Sequence, residues 1–221
     1  MMKQLFLLIS ILFSIFSCKE ETKLTEVISL NQKEIVQDIN IKNPKSFAEK
    51  LSNAAISIID DKVVYTPSYV SIKYPNGDVP AKTGVCTDVI IRAYRKLNID
   101  LQKEVHEDMI SNFSKYPKTW GLTKTDTNID HRRVPNLEVF FERKGEKLKV
   151  SQNASDYKTG ELVTWMINGK LPHIGIVTHL KSNPDASGEK RNLIVHNVGG
   201  GQVLQDCLFS YKIVGHYKFE N

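Results

Sequence analysis

The sequence has 221 residues, a net charge of +5 and three cysteines, with 25% charged and 41% hydrophobic residues. The positive charge is spread along the chain rather than gathered in a tract, so we expect no nucleic-acid partner. The sequence shows neither an internal repeat nor a phosphate-binding glycine loop, and we predict no cofactor. Without a leader, roughly 200 residues remain, which is enough for one domain with a substantial core.

The first 18 residues have the pattern of an export signal. Lys3 is followed by a short apolar run that ends at Ser17 and Cys18, and the run is shorter than the roughly 20 residues of a membrane span. A small residue directly before a cysteine resembles a bacterial lipobox, in which the cysteine is lipidated. We therefore predict a signal peptide over 1–18, lipidation of Cys18, and an exported protein anchored by lipid to the cell envelope, facing the periplasm or the surface. An ordinary signal peptide with a chance cysteine is the alternative.

The rest of the chain divides into a tether and one domain. Residues 19–42 are polar and charged and are predicted to be a tether, and residues 43–221 form the domain. Apolar residues at helical spacing predict helices over 44–60, from Cys86, over 101–113 and over 135–145. The apolar period then changes to two, which predicts four strands, "ELVTWMI", "HIGIVTHL", "NLIVHNV" and "KIVGHYKF". Helices followed by antiparallel strands indicate an α+β domain.

The segment "KTGVCTDVIIRAYRKL" places Cys86 in the first turn of a predicted helix, with Thr83 or Thr87 as the expected cap. Backbone N–H dipoles at a helix N-terminus favour a thiolate, so the pattern predicts a lowered thiol pKa and a nucleophile. Two alternatives remain open. Cys86 is a small buried apolar residue in one, and forms a disulfide with Cys207 in the other.

A cysteine nucleophile needs a base and a group that orients the base. His173 begins one predicted strand and His196 lies in the next, and neighbouring antiparallel strands can bring both side chains to one face. We therefore predict Cys86, His173 and His196 as the catalytic residues. Structural roles are expected for three other histidines, His106, His179 and His216.

The polar segment "DTNIDHRRVPNL" is the candidate for substrate binding. Arginine forks bind carboxylates at two points, and we expect only one of two consecutive arginines to face a cleft. A buried salt-bridge loop is the alternative. The predicted substrate-binding residues are an acid one turn into the Cys86 helix and five residues of this segment: Asp88, Asn128, Asp130, His131, Arg132 and Arg133. No short ligand spacing supports a zinc site among the histidines and Cys86, and we predict no metal.

These motifs resemble the NlpC/p60 papain-like superfamily, through "GVCTDVI" opening a helix, "GELVTW", "HIGIV" and a histidine in the following strand. More closely, "HEDM", "DTNIDHRRVPNL", "PHIGIV", "HNVGGG" and "GHYKF" resemble a bacterial family within it, the domain of unknown function 1287. The resemblance implies a papain-like fold with Cys86 as nucleophile, His173 as base and His196 as the orienting third member. Val85 and Thr87 flank the cysteine where many superfamily members have an acid and a serine, which leaves the oxyanion donors and the substrate open.

The superfamily resemblance also implies the reaction, which is hydrolysis of amide bonds, most often in the peptide stems of peptidoglycan. The expected protein is therefore a cell-envelope cysteine peptidase or amidase that acts through a thioester. Two alternatives are kept. One is an amidase or acyltransferase that uses the same chemistry on another envelope substrate, and the other is a non-catalytic surface lipoprotein that keeps the fold as a binding module.

Overall fold

The computed structural model describes residues 39–220. The predicted signal peptide, its lipidation site Cys18 and most of the predicted tether over 19–42 lie outside the described residues. Residues from Ile41 onward form one structural unit. Within 39–220, every helix is too short or too polar to cross a membrane.

Four α-helices in the described part of the chain agree with the four predicted helical segments. They are α1 (Phe47–Ser57), α2 (Cys86–Arg95), α3 (Leu101–Asn112) and α4 (Val134–Lys144). Side-chain caps fix two of their starts. Ser46 accepts the backbone N–H of Glu49 at α1, and Asp100 accepts the N–H groups that begin α3.

Six strands form one antiparallel sheet, and they are β3 (Glu146–Lys147), β4 (Leu162–Ile167), β5 (Leu171–Lys181), β6 (Asn192–His196), β7 (Val203–Gln205) and β8 (Lys212–Lys218). Their order in the sheet is β3-β8-β4-β5-β6-β7. The four strands predicted by the two-residue period are β4, β5, β6 and β8, and the α+β class is confirmed. β3 and β7 were not predicted because two or three residues are too few to show a period. A separate parallel pair, β1 (Val64–Tyr65) with β2 (Thr83–Gly84), was missed for the same reason.

The central strand β5 carries the packing that positions α2. Val89 and Ile90 of α2 are fully buried in the same apolar cluster as Ile174 and Ile176 of β5. Burial of each such side chain contributes about 1.5–3 kcal/mol to folding. The first turn of α2, which contains Cys86, is therefore held against the beginning of β5.

Candidate active site

The N-terminus of α2 is capped differently from the prediction. Val85 occupies the cap position in an extended conformation, and its side chain offers no hydrogen-bond acceptor. The carboxylate of Asp88 instead accepts the backbone N–H of Val85 at 2.7 Å. Thr83 and Thr87 are not caps, because both hydroxyls donate to backbone carbonyl groups elsewhere. Cys86 is the first helical residue.

The thiol of Cys86 is buried, with only 4% of the residue exposed. Burial raises the thiol pKa to about 12, although the backbone N–H groups of Ile174 and Thr87 act in the opposite direction. The predicted lowering of this pKa is therefore wrong, because desolvation of the charged sulfur outweighs the helix N–H groups. The resting group is a protonated thiol. Cys86 and Cys207 are both free cysteines, not a disulfide.

His173 and His196 lie on the neighbouring strands β5 and β6, and their side chains meet. Nε2 of His173 is 2.8 Å from Nδ1 of His196. Burial, and then the charge of His196, lowers the pKa of His173 to about 3, and burial also lowers the pKa of His196. Both rings are consequently neutral at pH 7. The backbone N–H of Ile174, which follows His173, is near enough to the sulfur of Cys86 to act on its thiol pKa, so the cysteine lies beside the start of β5.

A small cleft of about 160 Å³ opens at this point. Its lining includes Cys86 and Pro172, the neighbour of His173, together with Tyr65, Trp120, Arg132 and Arg133. The cleft thus brings the predicted nucleophile together with both arginines of the polar segment.

Asp88 and Arg132 use their charges inside the fold. Nε and Nη2 of Arg132 donate to the two carboxylate oxygens of Asp88 at 2.9 and 3.0 Å, and both side chains are almost fully buried. The same carboxylate caps α2 by accepting the backbone N–H of Val85. This two-point ion pair fits the structural alternative for both residues, because the hydrogen-bonding groups that would bind a substrate are already occupied.

Two other predicted binding residues of the polar segment, Asn128 and Asp130, also use their side chains inside the fold. The side-chain oxygen of Asn128 accepts the N–H of Ile72 at 2.8 Å, and Asp130 pairs with His106 at 2.9 Å. His131 is buried, and burial followed by the charge of a neighbouring arginine lowers its pKa to about 3. Asn128, Asp130 and His131 do not line the cleft. Within 39–220, no three histidine, cysteine or acidic side chains are grouped as metal ligands would be.

Arg133 is the arginine whose charge remains available at the cleft. Its guanidinium lies 4.9 Å above the ring centre of Trp120, a cation–π contact. Its buried Nη1 has no hydrogen-bond partner among the described residues. The expectation that one of the two arginines serves the cleft therefore fits the geometry, and Arg133 is the candidate.

Residues 52–219 match the family model described as "Domain of unknown function (DUF1287)". The chain belongs to the DUF1287 family. The predicted resemblance to this family is confirmed. The chain is also similar to "Uncharacterized protein YijF" of Escherichia coli (strain K12), with 44% identity over 169 residues that cover 76% of this chain and 80% of that protein. No solved structure matches the chain.

Two residues at this site of the DUF1287 protein, Tyr65 and Gln205, were not predicted from the sequence as site residues, and the sequence did not decide whether Trp120 lies in the core or at the cleft wall. Tyr65 lines the cleft, and burial, with the nearby Cys86 and Asp88, raises its pKa to about 12, so that its hydroxyl stays protonated. Trp120 is 59% exposed and has a left-handed backbone with φ of 62°, a strained conformation that recurs at functional sites. Gln205 hydrogen-bonds His196. Tyr65 and Gln205 lie on very short strands, and no local pattern marks them.

Proposed function

We propose that this DUF1287 protein is a papain-like cysteine amide hydrolase of the NlpC/p60 type. Cys86 is the nucleophile, His173 is the general base and His196 orients His173. The observation that carries the proposal is the 2.8 Å hydrogen bond between Nε2 of His173 and Nδ1 of His196, next to a cysteine at a helix N-terminus that opens on a cleft. The chain order of nucleophile, base and orienting residue is the order expected from the superfamily resemblance.

The chemistry begins with a neutral pair. Because Nε2 of His173 is engaged by His196, Nδ1 is the nitrogen that takes the proton of the Cys86 thiol as the sulfur attacks an amide carbonyl. The backbone N–H of Cys86 is the donor we assign to the developing oxyanion. The tetrahedral intermediate then collapses and its C–N bond breaks, and the proton on His173 passes to the leaving amine.

A water molecule completes the cycle. His173 removes one proton from the water, the hydroxide adds to the thioester carbonyl, and the C–S bond breaks. The acid product leaves, and the proton held by His173 returns to the sulfur of Cys86. Each turnover therefore consumes one amide and one water and needs no cofactor.

The substrate we propose is the peptide stem of peptidoglycan. Arg133 supports this assignment, because it lines the cleft, its Nη1 has no hydrogen-bond partner among the described residues, and stem peptides carry carboxylates that an arginine can bind. The export signal and lipid anchor proposed for residues 1–18 would bring the cleft to the cell envelope, where that substrate is found.

One observation favours the second candidate, a non-catalytic binding module. Burial raises the pKa of Cys86 and leaves it only 4% exposed, which is also the state of an inert structural cysteine. A protein that keeps the cleft and the Arg133–Trp120 contact without turnover would bind the same stems.

The test is mass spectrometry of purified peptidoglycan after incubation with the wild-type protein and with Cys86→Ala. New muropeptides from the wild type alone would establish the activity, and their masses would identify the bond that is cut. Cys86→Ser is the matched variant, since it keeps the size and a hydroxyl but loses the nucleophilic sulfur, and it should be as inactive as Cys86→Ala. Turnover retained by either folded variant would refute the assignment of Cys86.

A further inference from the structure

Gln205 extends the hydrogen-bonded pair of histidines by one residue. It ends β7, which pairs with β6 in a register that sets Gln205 opposite Ile194. Its side-chain oxygen Oε1 is 2.8 Å from Nε2 of His196. Nδ1 of His196 is in turn 2.8 Å from Nε2 of His173. The three side chains therefore form one chain of hydrogen bonds that leads from the exposed surface to His173, the proposed base.

The proton positions along this chain follow from what each atom can do. The structure turns Oε1 of Gln205, not its amide nitrogen, toward His196, and an amide oxygen only accepts, so in this arrangement Nε2 of His196 carries the hydrogen. A neutral imidazole has one hydrogen, so Nδ1 of His196 has a lone pair and accepts from Nε2–H of His173. The lone pair of His173 is then on Nδ1. This is the nitrogen that the proposed mechanism needs.

We propose that Gln205 is a positioning residue that selects the tautomers of His196 and His173 and thereby makes Nδ1 of His173 the basic nitrogen. The catalytic meaning of this assignment rests on the proposed function. The tautomers themselves do not, because they follow from the Gln205 oxygen that faces His196, the two hydrogen bonds and the neutral rings.

A hydrogen-bond donor in place of the Gln205 oxygen would move the hydrogen of each histidine to the other nitrogen of its ring. Nε2 of His196 would accept, its Nδ1–H would donate to Nε2 of His173, and Nδ1 of His173 would carry a hydrogen. That nitrogen could not take a proton from Cys86.

Cys207 is the other group at the outer nitrogen of His196, and it sets the tautomer less strongly. Its sulfur lies 3.5 Å from Nε2 of His196. Burial raises the thiol pKa of Cys207 to about 12, so it stays a thiol, which is a weak donor and a weak acceptor. The shorter contact with the strong amide acceptor of Gln205 therefore decides the proton position.

The test changes the hydrogen-bonding character of residue 205 in the full-length protein. Gln205→Lys presents only donors, and Gln205→Glu presents only acceptors at neutral pH. Gln152→Lys, at another exposed glutamine, is the control for the added charge. The histidine ring nitrogens are followed by ¹⁵N NMR at pH 7, because protonated and unprotonated ring nitrogens differ in chemical shift, and spectra of His173→Gln and His196→Gln assign the signals.

We expect Nε2-protonated rings for both histidines in the wild type, in Gln205→Glu and in Gln152→Lys, and Nδ1-protonated rings in Gln205→Lys. Nδ1-protonated rings in the wild type, or identical tautomers in the wild type and Gln205→Lys, would overturn the proposal.

Turnover provides the second readout and separates the two proposals. Where the wild type cuts peptidoglycan, Gln205→Lys should lower kcat by about 10²- to 10⁴-fold with little change in KM, as expected for loss of a general base. Gln205→Glu should keep most of the wild-type kcat. An unchanged kcat in Gln205→Lys overturns the positioning role. The expected tautomers without turnover in any variant would refute the proposed hydrolase and leave the tautomer assignment standing.

Discussion

The ion pair between Asp88 and Arg132 is the interaction whose loss the fold around Cys86 should tolerate least. Both side chains are nearly inaccessible to solvent, at 3% and 2% exposed, and they share two hydrogen bonds of 2.9 and 3.0 Å. Asp88→Asn removes the negative charge and keeps an oxygen that can still accept the N–H of Val85. The variant therefore isolates the cost of leaving the Arg132 guanidinium buried beside a neutral partner.

The expected magnitude follows from the burial of the pair. Removing one partner of a buried ion pair destabilises a protein by about 3–5 kcal/mol. In a domain of this size, each kcal/mol lowers Tm by about 2–4 °C. Asp88→Asn should therefore lower Tm by about 6–20 °C. A second change, Arg132→Met, in the same chain should recover part of that loss, because it removes the uncompensated charge.

The assay is thermal unfolding followed by circular dichroism, with the free energy of unfolding from urea titration as a second measure. Glu142→Gln is the control, because Glu142 and Lys147 form an ion pair of 2.8 Å in which both side chains are 51% exposed. Exposed pairs contribute at most about 1 kcal/mol, so the control should lose less than about 4 °C. A loss equally small in Asp88→Asn, or no recovery in the double variant, would refute the reasoning.

Alkylation of Cys86 by iodoacetamide, followed by peptide mass spectrometry, should be slow at pH 7 and should rise steadily with pH, because burial raises the thiol pKa to about 12; a rate that is already constant below pH 7 would instead reveal a thiolate. Gly175→Ala should lower the free energy of unfolding in urea by about 1–3 kcal/mol, since a Cβ atom there would lie 2.6 Å from Ile194, whereas Gly200→Ala has nothing within 4 Å and should be close to neutral. Arg133→Gln should raise KM for an acidic stem peptide by about tenfold or more and leave KM for the amidated peptide unchanged, and equal effects on both peptides would contradict a carboxylate contact.

The roles of the two consecutive arginines, Arg132 and Arg133, could not be assigned from the sequence. Adjacent residues in a loop usually point apart, which predicts that one arginine serves a cleft and leaves open which one. In the structure, Arg132 forms an ion pair with Asp88, 44 positions earlier in the chain, whereas Arg133 lies over the ring of Trp120. The partners come from separate elements, so no pattern within the segment itself could assign the two roles.

The pKa of Cys86 was predicted in the wrong direction for a related reason. The position of a thiol in the first turn of a helix can be read from spacing, and the helix N–H groups do favour a thiolate. The larger effect is desolvation, which depends on how closely the apolar cluster that includes Ile174 and Val134 covers Cys86. That cover is formed by residues far away in the sequence.

The sequence by itself determined the four helices, the four longer strands, the α+β class and the membership in the DUF1287 family, because periodicity and motif are properties of consecutive residues. It also identified Cys86, His173 and His196 together as the candidate catalytic residues. The tertiary structure decided which atoms meet: the Nε2–Nδ1 contact of the two histidines, the place of Gln205 at the end of that chain, and the burial that keeps the thiol protonated. Sheet order and packing bring distant residues together, and hydrogen bonds and desolvation depend on which groups lie close together in space rather than in the sequence.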